Sequence, residues 1–150
     1  MDARAVLDKA FELADHVSTL MSTALEERGL TPGRAEALLM LHRHGPLVQR
    51  QLATYLRCSP RHVTALVDTM EQHGWAERQR HPADRRATMV ELTPQGRQHT
   101  EWMETHRDRA AQALLGEVDP TQLAAFVEVA DRLIRTTGHD DSTSVDPTRT

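Results

Sequence analysis

The chain holds a single cysteine, Cys58, in 150 residues. That excludes an internal disulfide framework and any zinc site built from several thiolates. Aromatic residues are scarce: Phe11, Tyr55, Trp75, Trp102 and Phe126 are all there are. No run approaches the roughly 20 apolar residues that a bilayer span requires. The N-terminus reaches Asp2 before any apolar stretch, which argues against a secretory leader. There is no glycine-rich phosphate loop, no His-Glu-x-x-His and no nucleophile elbow, so enzymatic readings are poor. These absences point to a soluble cytoplasmic protein, not an enzyme, with no cofactor and no membrane partner.

Histidine is abundant, with nine. His99 and His106 lie seven apart on one expected helix, and His42 and His44 end another. Neither pair has the i, i+4 spacing that helical zinc ligands favour. They read as structural or solvated, and no metal is expected.

The net charge of −4 is unevenly placed. Residues 1–33 carry three basic and six acidic side chains, and residues 101–150 carry five and ten. The middle, 34–100, carries ten arginines against six acids and six of the histidines. A basic centre between acidic ends fits a nucleic-acid-reading module joined to parts that avoid DNA. Charge alone leaves chance fluctuation open as the explanation.

Proline and glycine divide the chain. Thr31-Pro32, Ser59-Pro60, Thr93-Pro94 and Asp119-Pro120 each pair an oxygen acceptor for the N-cap with a proline that loses no needed bond at N1. Gly29, Gly45, Gly74, Gly116 and Gly138 stand where left-handed helix stops are wanted. Helices are expected near 2–28, 32–44, 60–73, 94–115 and 120–137, with a short one within 48–57. Residues 75–92 lose the helical period, and Thr88, Val90 and Leu92 alternate with Met89 and Glu91, which reads as a hairpin with a charged tip. Val6, Ala10, Leu13, Val17, Leu20 and Ala24 form a narrow apolar stripe on the first helix; Leu123, Phe126, Val127, Ala130, Leu133 and Ile134 form one on the last. Such stripes suit association of two chains into a homodimer.

The expected fold class is therefore mainly α (α+β), a winged helix-turn-helix flanked by long N- and C-terminal dimerisation helices. The expected domains are an N-terminal helix (1–30), the winged module (31–96), C-terminal helices (97–137) and a flexible tail (138–150).

Between Ser59 and Gly74, Val63, Leu66, Val67 and Met70 share one face at i, i+3, i+4 and i+7. Ser59, Pro60, Arg61, His62, Thr64, Ala65 and Asp68 are left toward solvent. Arginine can take guanine O6 and N7 in bidentate fashion, and small Ala65 lets a helix sit deep in a major groove. Thr64 and the amides after Ser59 suit phosphate oxygens. An ordinary amphipathic surface helix remains the competing reading. The hairpin adds Arg78, Arg80, Arg85 and Arg86 around its tip, with Asp84 placed to hold the Arg86 guanidinium in a fixed fork.

The run from Leu30 to Gly96 resembles the MarR family of bacterial transcription regulators. The stretches LTPGRAEALLMLHRHGP, LRCSPRHVTALVDTMEQHGW and ERQRHPADRRATMVELTPQG carry the likeness, most specifically Asp84-Arg85-Arg86 followed by Val90, Leu92, Thr93, Pro94 and Gly96. The resemblance implies a homodimer on double-stranded DNA, with reading helices in successive major grooves of a pseudo-palindromic operator, and repression as the commonest outcome. It matches Arg86 to the wing arginine that enters the minor groove, Asp84 to its orienting partner, and Ser59, Arg61, His62, Thr64 and Ala65 to the reading face. Arg57 departs from the glycine of many relatives. Either it sits left-handed at a cost of about 1–2 kcal/mol, or the turn relaxes and Arg57 gains a phosphate. Ala65 replaces a longer side chain found in some members.

The resemblance also implies release by a small lipophilic or phenolic effector, for which His16, Leu20, Leu38, His42, Trp102 and His106 are the candidate lining. The histidine of zinc-sensing relatives is Ala37 here, and oxidant sensors place their cysteine in the first helix, which has none. Cys58 reads as a packing residue. The alternative function, from another class, is a winged-helix protein that binds a ligand or partner without reading DNA.

Overall fold

The computed structural model describes residues 2–137. Its elements run α1 (Ala3–Glu26), α2 (Pro32–His44), β1 (Leu47–Val48), α3 (Gln49–Tyr55), α4 (Pro60–Gln72), β2 (Ala76–Arg80), β3 (Thr88–Leu92), α5 (Pro94–Leu115) and α6 (Pro120–Thr137). The expected tail, 138–150, lies outside the described residues.

The cap-and-proline pairs start their helices as oxygen chemistry dictates. The hydroxyls of Thr31, Ser59 and Thr93 accept the N–H groups of Arg34, His62 and Gly96 at 3.3, 3.1 and 3.1 Å. The Asp119 carboxylate accepts that of Thr121 at 2.8 Å. Each bond satisfies a donor that the helix itself cannot. The bonds from Thr121 and Gln122 lower the pKa of the Asp119 carboxyl.

Helix ends repeat one device. Leu30 N–H donates to Leu25 O and Gly29 N–H to Glu26 O; Trp75 N–H donates to Met70 O and Gly74 N–H to Glu71 O. Both are Schellman stops, which need a left-handed residue, and Gly29 and Gly74 have φ of 70° and 73°. The stop after α3 is built the same way, with Cys58 N–H on Ala53 O and Arg57 N–H on Thr54 O. There the left-handed position is Arg57, with φ of 51°. Of the two readings left open by the sequence, the strained turn is the one adopted.

Two compact units divide the chain, one up to His106 and one from Arg107. In the first, Leu38, Leu52, Val63, Val67, Met70 and Val90 are fully buried in one core joining α2, α3, α4 and the sheet. The expected inward face of α4 is thus the core face, with Leu66 half-buried at its edge. The apolar stripe of α1 stays largely uncovered: Phe11 is 66% exposed, and Val6, Leu13, Val17 and Leu20 are also exposed. In the second unit, Phe126 and Val127 of α6 are exposed.

The expected hairpin is β2 and β3, paired antiparallel with Ala76 opposite Leu92 and Arg80 opposite Thr88. A third strand, β1, joins the far edge with Leu47 opposite Val90, giving the order β1-β3-β2. The sequence reading missed β1, because two residues are too few to show alternation.

The root of the hairpin is tied to the first turn of α5. Thr93 N–H donates to Trp75 O at 3.0 Å, and its hydroxyl donates to Gly74 O at 2.6 Å. Gly96 packs so closely that a Cβ there would stand 2.0 Å from Trp75 O. Alongside, His99 meets Trp75 edge-on at 5.0 Å, and His99 Nδ1 is buried with no hydrogen-bond partner among the described residues. Burial, with a smaller contribution from Arg28, lowers the pKa of His99.

Candidate nucleic-acid interface

The N-terminal turn of α4 presents what a groove reader needs. Ser59 is committed as the cap, while Pro60, Arg61, His62 and Ala65 are exposed. Thr64 is exposed too, but its hydroxyl is engaged, donating to Pro60 O at 2.9 Å and accepting from Gln49 Nε2 at 2.9 Å. Its expected role toward phosphate therefore competes with bonds inside the protein.

Arg78 and Asp68 require a correction. The sequence sets Arg78 among the tip arginines and Asp68 on the reading face, yet in the structure the two form an ion pair at 2.7 Å. Arg78 Nη1 also donates to Glu71 at 2.6 Å, Nε to Gln49 Oε1 at 3.1 Å and Nη2 to Thr64 O at 3.2 Å. Its backbone N–H donates to the other Glu71 oxygen at 2.8 Å. The cause is the pleat: Arg78 is two residues from buried Ala76 on β2, so both point toward α4. Arg78 is a brace between β2, α3 and α4, and its side chain is only 24% exposed. Gln49 and Glu71, which the sequence reading did not single out, belong to this brace. The spacing of Asp68 and Glu71, three apart on the polar side of α4, was the signal that would have found it.

Asp84 needs a second correction. Its Oδ1 accepts the backbone N–H of Arg86 at 2.9 Å, and no ion pair joins it to the Arg86 guanidinium among the described residues. Asp84 shapes the turn, not the side chain. Arg80, Arg85 and Arg86 are exposed, as are Arg57 and Arg61, and none of these five pairs with a carboxylate among the described residues.

Of the six residues proposed to line an effector pocket, Trp102 and His106 meet. Leu38 is wholly buried in the core, and His16 and Leu20 are exposed on α1. Trp102 stacks on His106 at 4.9 Å and carries the Arg28 guanidinium over its ring, 4.4 Å from the centroid. His42 instead bonds Thr100 at 3.2 Å and borders a cavity of about 130 Å³ with Leu41, Gly45, Pro46, Glu91, Leu92 and Arg97. That is below the roughly 300 Å³ at which pockets for organic ligands begin. Cys58 is half-buried against the core. No cluster of His, Cys, Asp or Glu able to hold a metal occurs among the described residues.

A family model described as the MarR family matches residues 30–88, the span that holds the brace, the reading helix and the wing tip. Over that span the chain is similar to the MarR family. Among curated proteins, the chain is 28% identical over 105 residues to the uncharacterized HTH-type transcriptional regulator YdgJ of Bacillus subtilis. It is 32% identical over 76 residues to the HTH-type transcriptional repressor MdtR of the same organism. These matches cover 70% and 51% of the chain, and only 64% and 49% of the relatives' own lengths. Among solved structures, FabT of Streptococcus pneumoniae in complex with DNA superposes with a TM-score of 0.84 at 15% identity, covering 91% of this chain and 98% of FabT. A MarR family regulator from Silicibacter pomeroyi does so with 0.67 at 25% identity, covering 89% and 90%. The winged-helix fold is thus shared beyond the span that the family model matches.

Proposed function

We propose that this protein is a transcription regulator, a repressor, that acts in the cytoplasm and reads double-stranded DNA as a homodimer on a pseudo-palindromic operator. The observation that carries the reading is the division among its arginines. Arg78 is saturated by internal partners, whereas Arg57, Arg61, Arg80, Arg85 and Arg86 are exposed and have no carboxylate partner among the described residues. Guanidinium groups left without internal anions, on the reading helix, the turn before it and the wing, are matched by a polyanion. The exposed apolar side chains of Phe11, Leu20 and Met21 on α1, and of Phe126 and Val127 on α6, support a second copy. No helix among the described residues is long and apolar enough to cross a membrane. FabT binds DNA in its crystal structure and MdtR is a repressor, which agrees with this reading.

The test is selection from randomised duplexes with the purified protein, followed by salt titration on the enriched site. Two-fold symmetry with half-sites about 10 base pairs apart, and a steep negative slope of log affinity against log salt, are expected. A flat slope favours the non-reading alternative. Arg86→Ala is expected to lose about 1–3 kcal/mol of binding with the fold intact, and Arg61→Ala to relax base preference. Adding a phenolic acid to the bound complex tests the effector: release at constant salt supports it, and undiminished binding removes it.

A further inference from the structure

Residues 81–87 join β2 to β3, and an imidazole ring organises them. His81 Nδ1 accepts the backbone N–H of Ala83 at 3.1 Å and that of Asp84 at 3.0 Å. Backbone N–H groups only donate, so Nδ1 must offer its lone pair, and the ring is the neutral Nε2–H tautomer. The bonds continue outward from there. The Asp84 carboxylate accepts the Arg86 N–H at 2.9 Å, the Asp84 carbonyl accepts the Ala87 N–H at 3.1 Å, and His81 N–H closes the turn on Ala87 O at 3.3 Å. One unprotonated ring nitrogen thus stands at the start of a chain of bonds that ends on the backbone carrying Arg85 and Arg86.

We propose that His81 is the positioning residue of the wing and makes its grip on DNA acid-sensitive. Protonation puts an N–H where the acceptor was, facing two further N–H donors, and the turn that carries Arg85 and Arg86 comes unseated. This rests on the DNA-reading function proposed above and adds a control to it. The charged residues flanking His81 along the hairpin are Arg80 at the end of β2, and Asp84, Arg85 and Arg86 in the turn. Asp84 is the one carboxylate among them and is already bonded to Arg86 N–H. No other described residue forms an ion pair with His81. The predicted sign opposes simple electrostatics, in which acid adds charge to exposed histidines such as His62 and His73 and tightens DNA binding. Asparagine discriminates, because its side-chain oxygen reaches the N–H two residues on and does not titrate.

Two measurements test the proposal, going from about pH 7.5 to about pH 5.5, the range in which histidine changes charge. In the DNA-free protein, the amide cross-peaks of Ala83 and Asp84 are expected to shift together with the His81 ring signals. In His81→Asn they are expected to stay in place. On the selected duplex, the affinity lost by the wild type on acidification, divided by that lost by His81→Asn, is expected to reach at least about threefold, the scale of a hydrogen bond. Amide signals that ignore the ring overturn the proposal whatever the DNA does. A ratio of one or less overturns it even if the amides move. Failure of both proteins to bind any duplex at the higher pH, where no loss is predicted, overturns the DNA-reading function itself and is recognisable as that.

Discussion

Replacing Arg57 by glycine isolates the strain in the turn before the reading helix. The three Schellman stops differ in one respect: two place glycine at the left-handed position and the third places Arg57 there, at φ of 51°. A side chain in that conformation costs about 1–2 kcal/mol. Glycine returns part of the gain, about 0.5–1 kcal/mol, through the greater freedom of the unfolded chain. Arg57→Gly is therefore expected to stabilise the protein by roughly 0.5–1 kcal/mol, and to raise Tm by about 1–4 °C for a chain of this length. Arg57→Ala is the control, since it removes the same charge and keeps the strain. Both are compared by thermal unfolding at one salt and one protein concentration, because association shifts Tm. On DNA, both variants are expected to reduce the salt slope by about one if Arg57 lies on a phosphate. A Tm for Arg57→Gly at or below that of Arg57→Ala refutes the reasoning, because the strain relieved at φ is expected to exceed the added freedom of the unfolded chain.

Three other outcomes follow from the same packing. Arg78→Met is expected to destabilise by about 1–3 kcal/mol, below the value for a fully buried pair because Arg78 and its partners are part-exposed. Adding Asp68→Asn and Glu71→Gln should restore some of it, and an unchanged urea midpoint in the single variant would falsify the brace. Gly96→Ala, whose methyl meets the Trp75 carbonyl, is expected to cost about 1–3 kcal/mol in chemical denaturation, since the obstacle is the Trp75 backbone and not a flexible side chain. His99 is favoured neutral in the native state, so the unfolded chain binds more protons in mild acid and stability rises with pH. The full stability is present above the ordinary histidine value of 6.5 and is eroded as pH falls through the lowered native pKa. His99→Phe, which keeps the edge contact on Trp75, should flatten that limb of the urea midpoint against pH.

What the sequence made legible was whatever repeats or punctuates. The spacing of Val63, Val67 and Met70 fixed the buried face of α4, and alternation through Thr88, Val90 and Leu92 located β3. Proline after an oxygen acceptor placed four helix starts. What escaped depends on geometry across elements. Arg78 and Arg80 look alike in a charged run, and only the approach of α4 turns the first into a brace. Asp84 was expected on a guanidinium because opposite charges two apart suggest it, yet a tight turn offers a backbone N–H first. His81 gave no signal, since a lone histidine before proline has no period, and its role exists only once the turn closes over the ring.

The brace at Arg78 also bears on how ionic strength acts. Its bonds to Asp68 and Glu71 reach solvent, so dissolved ions weaken the scaffold behind the reading helix while they compete for the polyanion in front of it. A phosphate count taken from the salt slope of the intact protein is then expected to exceed the count from a variant in which Arg78 and its two carboxylate partners are replaced together.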